Sequence, residues 1–457
     1  MRHIAVIDVG KTNAKLALVE EGSLRELTVV TRPNTVLPGP PYPHFDLAGH
    51  WDFFLHHLRA FHATWGVDAI SVTTHGAAAV LLDAAGNLAA PMLDYEHPGP
   101  DDLAAAYDAL RPDFAETGSP RLPHGLNLGA QLHWLLATRP GLGANLAHVL
   151  TYPQYWGWRL TGEIACDVCS LGCHTDLWNP SLGGFSTLVA RLGLGEKLGP
   201  PRRPADVLGQ LRPAIAAVTG LPRETPVSVG IHDSNASLYP YLLGEQRAFS
   251  VVSTGTWVIS MATGGAAIVP DQSRDVLVNV NALGAAVPSA RFMGGREYEL
   301  VRKGAEPCGT AADRAAVLAR GILLLPAVEK GSGPFPDRTA RWTAEPATTG
   351  ERLLALSWYL ALMTRTCLDL AGARGPVIVE GPFARNPDYL EMLASLSPEG
   401  VETAASATGT STGAALLCLP ASAPPATRPA PPPADRAALL DYAARWNGLA
   451  NAPAAAG

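Results

Sequence analysis

The chain has 457 residues, of which 47% are hydrophobic and 16% charged, with a formal net charge of −7 and a pI near 6.0. That length exceeds what one hydrophobic core organises, so two domains of roughly 200 residues each are expected. The mildly acidic balance argues against a nucleic-acid groove or an anionic membrane as the main partner, yet still allows an anionic small ligand held by backbone amides.

The opening MRHIAVIDVG runs straight into a strand pattern, without the apolar stretch and cleavage site of a signal peptide. No uninterrupted apolar run approaches the roughly 20 residues that span a bilayer. Six cysteines are too sparse for a disulfide framework. These features set the expectation of a cytoplasmic enzyme.

Ile4–Val9 alternates as a strand, turns at Gly10-Lys11-Thr12-Asn13 and resumes at Leu16 and Leu18, which predicts a β-hairpin. Phe53–Trp65 has helical spacing and leads into a strand, Ala69–Thr73, and a loop, His75-Gly76-Ala77. LGAQLHWLLAT and YPQYWGWRLTG read as helices, the second buried on more than one face. The strand Val227–Ile231 stops at His232-Asp233-Ser234-Asn235, where a helix begins. A second hairpin follows, AFSVVSTGTWVISMATGG, turning at Ser253-Thr254-Gly255-Thr256. Its likeness to the first predicts two related α/β domains, 1–243 and 244–457.

Beyond it, Ser357–Gly372 reads as a helix and PVIVEG as a buried strand. The Pro/Ala-rich stretch Ala421–Ala434 is expected to be an extended connector. A terminal helix from Asp435 is expected to pack on its own domain or on a second copy, as in a homodimer.

Gly10-Lys11-Thr12 does not satisfy the P-loop rule: the spacing puts Ala5 where the first glycine belongs, and NAKLALVE alternates like a strand where a helix is required. What remains is a tight turn able to aim backbone N–H groups at phosphate, with Asp8 placed to hold magnesium through water. Lys11 is the nearer phosphate contact and Lys15 the more ordinary exposed cation. Ser253–Thr256 offers three hydroxyls and a glycine as a second phosphate turn.

Asp233 at a strand–helix junction serves either as a helix N-cap or as a carboxylate that accepts a hydroxyl proton. His232 beside it either meets substrate or packs. Cys166, Cys169, Cys173 and His174 suggest a metal site. The second cysteine pair is missing and the last two ligands are adjacent, so packed thiols are the stronger expectation.

In their order and spacing, VIDVGKTNAK, LLDAAGNLAAPMLDYEH, YWGWRLTGE with SLGCHTDLW, VGIHDSNAS, STGTW, VEGPFARN and ATGTSTGAALL resemble the FGGY carbohydrate kinases, from about Ile4 to Leu417. The resemblance implies two RNase-H-like (actin/hexokinase-like) domains around a central cleft, and a kinase that uses ATP and Mg2+ on a small-molecule sugar. It implies that Asp8 is the magnesium-linked aspartate and that Gly10, Lys11, Thr12 and Asn13 form the first phosphate loop. Asp233 is then the catalytic base, and Thr254, Gly255 and Thr256 hold the transferred phosphate. Gly381, Arg385, Asn386 and Gly413 fall in the adenosine region; His75, Asp94, Glu96 and Gln131 fall in the sugar-contacting segments, with His232 beside the base.

Two departures stand out. Pro382 follows Gly381 where the family often has a second glycine, and Leu93-Asp94-Tyr95-Glu96-His97 lacks the family's Trp and Arg. His-Asp and STGTW most resemble the kinases of deoxyketoses such as rhamnulose and fuculose. A superfamily ATPase without a sugar acceptor and a sugar-sensing regulator are the rival readings. The polar sugar-side segments weigh against the first. The lack of a basic helix-turn-helix pattern, with Asp8 and Asp233 retained, weighs against the second.

Overall fold

The computed structural model describes residues 1–244, 248–306, 309–404, 409–419 and 426–452. The chain forms two compact units. The sequence leads to an expected cut after residue 243. The first unit holds residues 1–245 and also gains 278–286 and 408–424 from later in the chain.

In the first unit, β1 (His3–Val9), β2 (Asn13–Glu20) and β3 (Glu26–Pro33) form an antiparallel meander. Helix α1 (Leu47–Trp65) then crosses to β4 (Ala69–Thr74), which runs parallel to β1. The period-2 alternation of β1 explains its burial on both faces. Ala5, Ile7 and Val9 pack with Phe54 and Leu58 of α1, while Ile4 and Val6 enter a separate cluster. Helix α1 starts where the Asp46 side chain accepts the Gly49 N–H at 2.9 Å and stops at Gly66, whose φ of +77° suits glycine. Helices α2 (Leu128–Thr138) and α3 (Tyr152–Thr161) follow. Strand β5 (Pro226–Ser228) pairs parallel with β4, and Ile231–His232 pairs with the end of β4. That last pairing delivers the chain to α4 (Asp233–Leu242).

The second unit repeats the plan. Strands β6 (Phe249–Thr254), β7 (Val258–Thr263) and β8 (Ala286–Phe292) run antiparallel in sequence. Helix α5 (Gly294–Arg302) follows. Helix α6 (Thr349–Leu370) precedes β9 (Val377–Glu380), parallel to β6; α7 (Pro387–Leu396) precedes β10 (Val401–Ala404), parallel to β9. Both sheets thus have a three-stranded meander flanked by parallel strands, as the two hairpins predict. Helix α6 is long and apolar enough by composition to cross a membrane, but 78% of that stretch is buried, packed in the core with Val252, Phe292 and Trp446.

Helix α8 (Thr410–Leu416) belongs to the first unit, where Ser71 Oγ donates to the Ala414 carbonyl at 2.7 Å. The expected connector is only partly extended: Thr427–Pro429 adds an antiparallel edge strand to β10, and residues 421–425 lie outside the described residues. The terminal helix α9 (Arg436–Asn451) packs on its own unit. Tyr442 Oη and Trp446 Nε1 donate to the Ile322 and Leu324 carbonyls at 2.8 and 2.7 Å.

Candidate functional site

The first turn is built from the end of β1. Asp8 pairs in register with Lys15 on β2 and with Thr73 on β4, which sets its carboxylate beside α8. Its Oδ2 accepts from Thr410 Oγ1 at 2.7 Å and Ser411 Oγ at 3.2 Å, and lies 3.2 Å from Lys15 Nζ. Lys15, expected to be an ordinary exposed cation, is therefore the counter-ion of Asp8. Among the described residues no three His, Cys, Asp or Glu side chains assemble to hold an ion. A magnesium ion here fits only the expected role, held through water by one carboxylate while phosphate supplies the other oxygens.

The turn itself is closed by Gly10 N–H donating to the Asn13 carbonyl at 2.9 Å. The N–H groups of Lys11 and Thr12 have no partner among the described residues, as a phosphate cradle requires. Asn34, missed in the sequence, braces the turn twice. Its Nδ2 donates to the Gly10 carbonyl at 2.8 Å and its N–H to the Thr12 carbonyl at 2.9 Å. Because a carbonyl only accepts, this fixes the amide's orientation and turns Oδ1 to His50. His50 Nε2 must then be the donor across 2.8 Å. Burial pushes His50 down to about 4, which keeps it neutral in that role.

The side chain of Lys11 does not remain at the turn expected to hold phosphate. Its ammonium bonds Asp94 Oδ1, lies 3.2 Å from Glu96 Oε2, and sits over the rings of Tyr95 and Phe45 at 4.7 and 5.1 Å. The structure therefore brings Lys11, Asp94 and Glu96 together, with His75 packed against Phe45 and Tyr95 at 5.3 Å each. His75 Nδ1 meets the Gly76 carbonyl at 2.9 Å and must carry the proton. Burial keeps the ring below the ordinary imidazole value, so the buried Nε2, unpartnered among the described residues, is a lone-pair acceptor. Gln131 is buried with its amide nitrogen spent on the Ala77 and Gly125 carbonyls, the first at 2.6 Å.

Asp233 opens α4 as its first residue, and no side-chain cap bond forms at that terminus. Its Oδ1 accepts from the Ser234 N–H and hydroxyl at 2.6 and 3.2 Å, and Oδ2 has no partner among the described residues. The carboxylate is one-third exposed, with His232 Nε2 at 3.5 Å from Oδ1, and its charge reaches both His75 and Tyr95. A Cβ on Gly76 would overlap the His232 ring, so glycine is what lets the two loops meet.

His232 is fully enclosed, and burial alone would lower it. The Cys173 sulfur, and after it Asp233, outweigh burial and raise it. Cys173 moves the other way: burial opposes ionisation, but His232 and His174 beside it pull the thiol down. Each group thus favours the charged form of the other. Cys166 and Cys169 are packed thiols, pushed up by burial, with Cys169 Sγ donating to Asp167 Oδ1 at 2.6 Å.

In the second unit, Gly255 N–H donates to the Trp257 carbonyl at 2.8 Å and leaves Gly255 and Thr256 exposed. Thr254 is buried instead. Its hydroxyl donates to the Glu380 carbonyl and accepts from Phe383 N–H at 3.1 Å. Gly381 lies between them with φ of +82°, and a Cβ there would strike the Thr254 carbonyl. Pro382 has no N–H to give at this turn, and Phe383 supplies the donor to Thr254. Asn386 caps α7, accepting from Tyr389 N–H at 3.1 Å and donating to Ser357 Oγ at 3.0 Å; Arg385 is exposed. Gly413 is in the first unit and lets α8 approach the Ala236 carbonyl of α4.

The chain matches the family description "FGGY family of carbohydrate kinases, N-terminal domain" over residues 3–239, and "Carbohydrate kinase FGGY, C-terminal domain" over 246–427. It belongs to the FGGY carbohydrate kinases.

Among solved FGGY relatives, a carbohydrate kinase from Novosphingobium aromaticivorans is 36% identical with a TM-score of 0.91, covering 98% of this chain and 100% of that one. A xylulose kinase from Rhodospirillum rubrum, at 22% identity and a TM-score of 0.76 over 98% of both chains, shares the fold. Together with the repeated sheets, these place the chain in the actin/hexokinase-like fold of the family.

Curated relatives are more distant. The L-fuculokinase of Salmonella typhi is 29% identical over 202 residues, 44% of this chain and 42% of the fuculokinase. The rhamnulokinase of Enterobacter sp. (strain 638) is 28% identical over 201 residues, 42% of this chain and 38% of that enzyme. The alignments thus span well under half the length of these relatives.

Proposed function

We propose that this FGGY protein transfers the terminal phosphoryl group of ATP to a hydroxyl of a small ketose, a deoxyketohexose or ketopentose, in the cytoplasm. The observation that carries the reading is the Asp233 carboxylate. It leaves its helix uncapped, keeps Oδ2 unpartnered, and shares an electrostatic cluster with His75, Tyr95 and Lys11.

In this reading the carbohydrate lies against His75 and Asp94, where Nε2 and Oδ2 accept its hydroxyl protons as hydrogen bonds. Asp233 Oδ2 takes the proton from the hydroxyl that attacks, contributing through general-base catalysis. The free N–H groups of Lys11 and Thr12 hold phosphate oxygens as negative charge redistributes. Magnesium, when bound, would be held through water by Asp8 and would screen the phosphate charge. Cys166, Cys169, Cys173 and Cys367 are buried cysteines that form no disulfide among the described residues, in keeping with a reducing compartment.

A coupled ADP-release assay across ketoses and polyols tests the reading. One or more ketoses should stimulate ADP release, and Asp233→Asn should cut turnover by about 10²- to 10⁴-fold while retaining ATP binding. ADP release indifferent to every added sugar, or full turnover in Asp233→Asn, would refute it.

A further inference from the structure

Lys11 leaves a phosphate turn by sequence and enters a carbohydrate-side cluster by geometry. Its side chain is 22% exposed, that of Asp94 only 9% and that of Glu96 64%. Two carboxylates and two aromatic faces surround the ammonium. To reach a phosphate it would have to abandon all four, stranding the nearly buried Asp94 carboxylate without its cation. The electrostatics around the acid point the same way. Asp94 Oδ1 receives both Lys11 and the Glu96 N–H, the latter at 3.2 Å, while Oδ2 has no partner among the described residues. One oxygen is anchored and the other is available to accept from a ligand hydroxyl.

We propose that Lys11 is a positioning residue of the carbohydrate site and not a ligand of the nucleotide phosphates. It anchors the Asp94 carboxylate through Oδ1 and orients it, so that Oδ2 accepts a sugar hydroxyl. The first turn then grips phosphate through its backbone alone, and its one long side chain serves the other substrate. The proposal rests on the kinase reading above, and its test separates the two.

The experiment measures KM for a ketose substrate and for ATP in Lys11→Met and Lys11→Arg, with ATP affinity read independently by calorimetry. Lys11→Met is expected to raise the ketose KM by about 10- to 100-fold, as loss of a charged hydrogen-bond partner does, and to leave the ATP KM and calorimetric affinity within about twofold. Lys11→Arg should recover much of the ketose KM.

A rise in the ATP KM with the ketose KM intact, or no change in either, overturns the proposal. Circular dichroism of both variants separates misfolding from these outcomes, and a misfolded Lys11→Met leaves Lys11→Arg to decide by the same two constants. If the parent phosphorylates no ketose, the kinase reading fails by itself. Calorimetry then judges Lys11 alone: unchanged ATP affinity supports its place away from phosphate, and lost affinity overturns it.

Discussion

Asp8 accepts a hydrogen bond from the Thr410 hydroxyl at 2.7 Å, across 402 positions of sequence. The acid that ends the first strand is thus positioned by the first turn of α8. Replacing Thr410 with valine keeps the volume and removes the donor, leaving Ser411 and Lys15 on the same oxygen. We expect a stability loss of about 1–2 kcal/mol. The variant should also need more magnesium for half-maximal rate, with an unaltered ketose KM. Urea denaturation and a magnesium titration of the initial rate check both parts; an unchanged magnesium requirement would separate Thr410 from the role assigned to Asp8.

Asn34 supports the first turn without standing in it. In Asn34→Ala, the Gly10 carbonyl and the fully buried His50 both lose a partner. Each orphaned group costs about 1–3 kcal/mol, so a loss of roughly 2–6 kcal/mol is expected. The same variant should raise the ATP KM several-fold more than the ketose KM, because the free N–H groups of Lys11 and Thr12 lose their fixed direction. Equal effects on the two constants would make Asn34 a purely structural residue.

Glu297 on α5 is 1% exposed; it accepts from Glu329 N–H and Tyr359 Oη, both at 3.0 Å. Burial raises its carboxyl from 4.5 to about 7, so the folded chain keeps a proton there that the unfolded chain releases. Stability therefore falls as pH rises from about 4.5 to about 7 and stays lower above that window. The swing from this group is at most about 3 kcal/mol. Glu297→Gln cannot titrate, so denaturation at about pH 5 and about pH 8 should give a flatter profile than the parent. An identical pH slope in the variant would show that Glu297 is ionised in the native state.

The local devices of the site were legible in the sequence. The hairpin at Gly10, its echo at Gly255 and the strand–helix junction at Asp233 are written in short patterns of alternation and turn residues. What local pattern does not encode is where a long or distant side chain goes. Lys11 reads as a phosphate contact because its neighbours are turn residues, yet its ammonium travels to a loop 83 positions away. Asn34 and His50 lie in none of the quoted patterns, and Thr410, inside ATGTSTGAALL, carries no local sign of its partner Asp8; each matters through partners elsewhere in the chain. Asn386 and Gly413 read as adenosine contacts by resemblance, and the fold uses the first as a cap and the second for helix packing. The cysteine spacing that suggests a metal belongs to two packed thiols, Cys166 and Cys169, and to a third buried cysteine, Cys173, whose ionisation His232 favours.

Helix α8 also dictates an order of events during synthesis. Ala414, Ala415, Leu416 and Leu417 join Ala236 and Tyr239 of α4 in the cluster that covers Ile4, Val6 and Ala69, so part of the first unit's apolar sheet face stays bare until those residues are made. Domains ordinarily fold from the N-terminus as they emerge. Here most of the second unit leaves the ribosome before the first can close, and a nascent chain stalled at residue 245 would present exposed strands to chaperones.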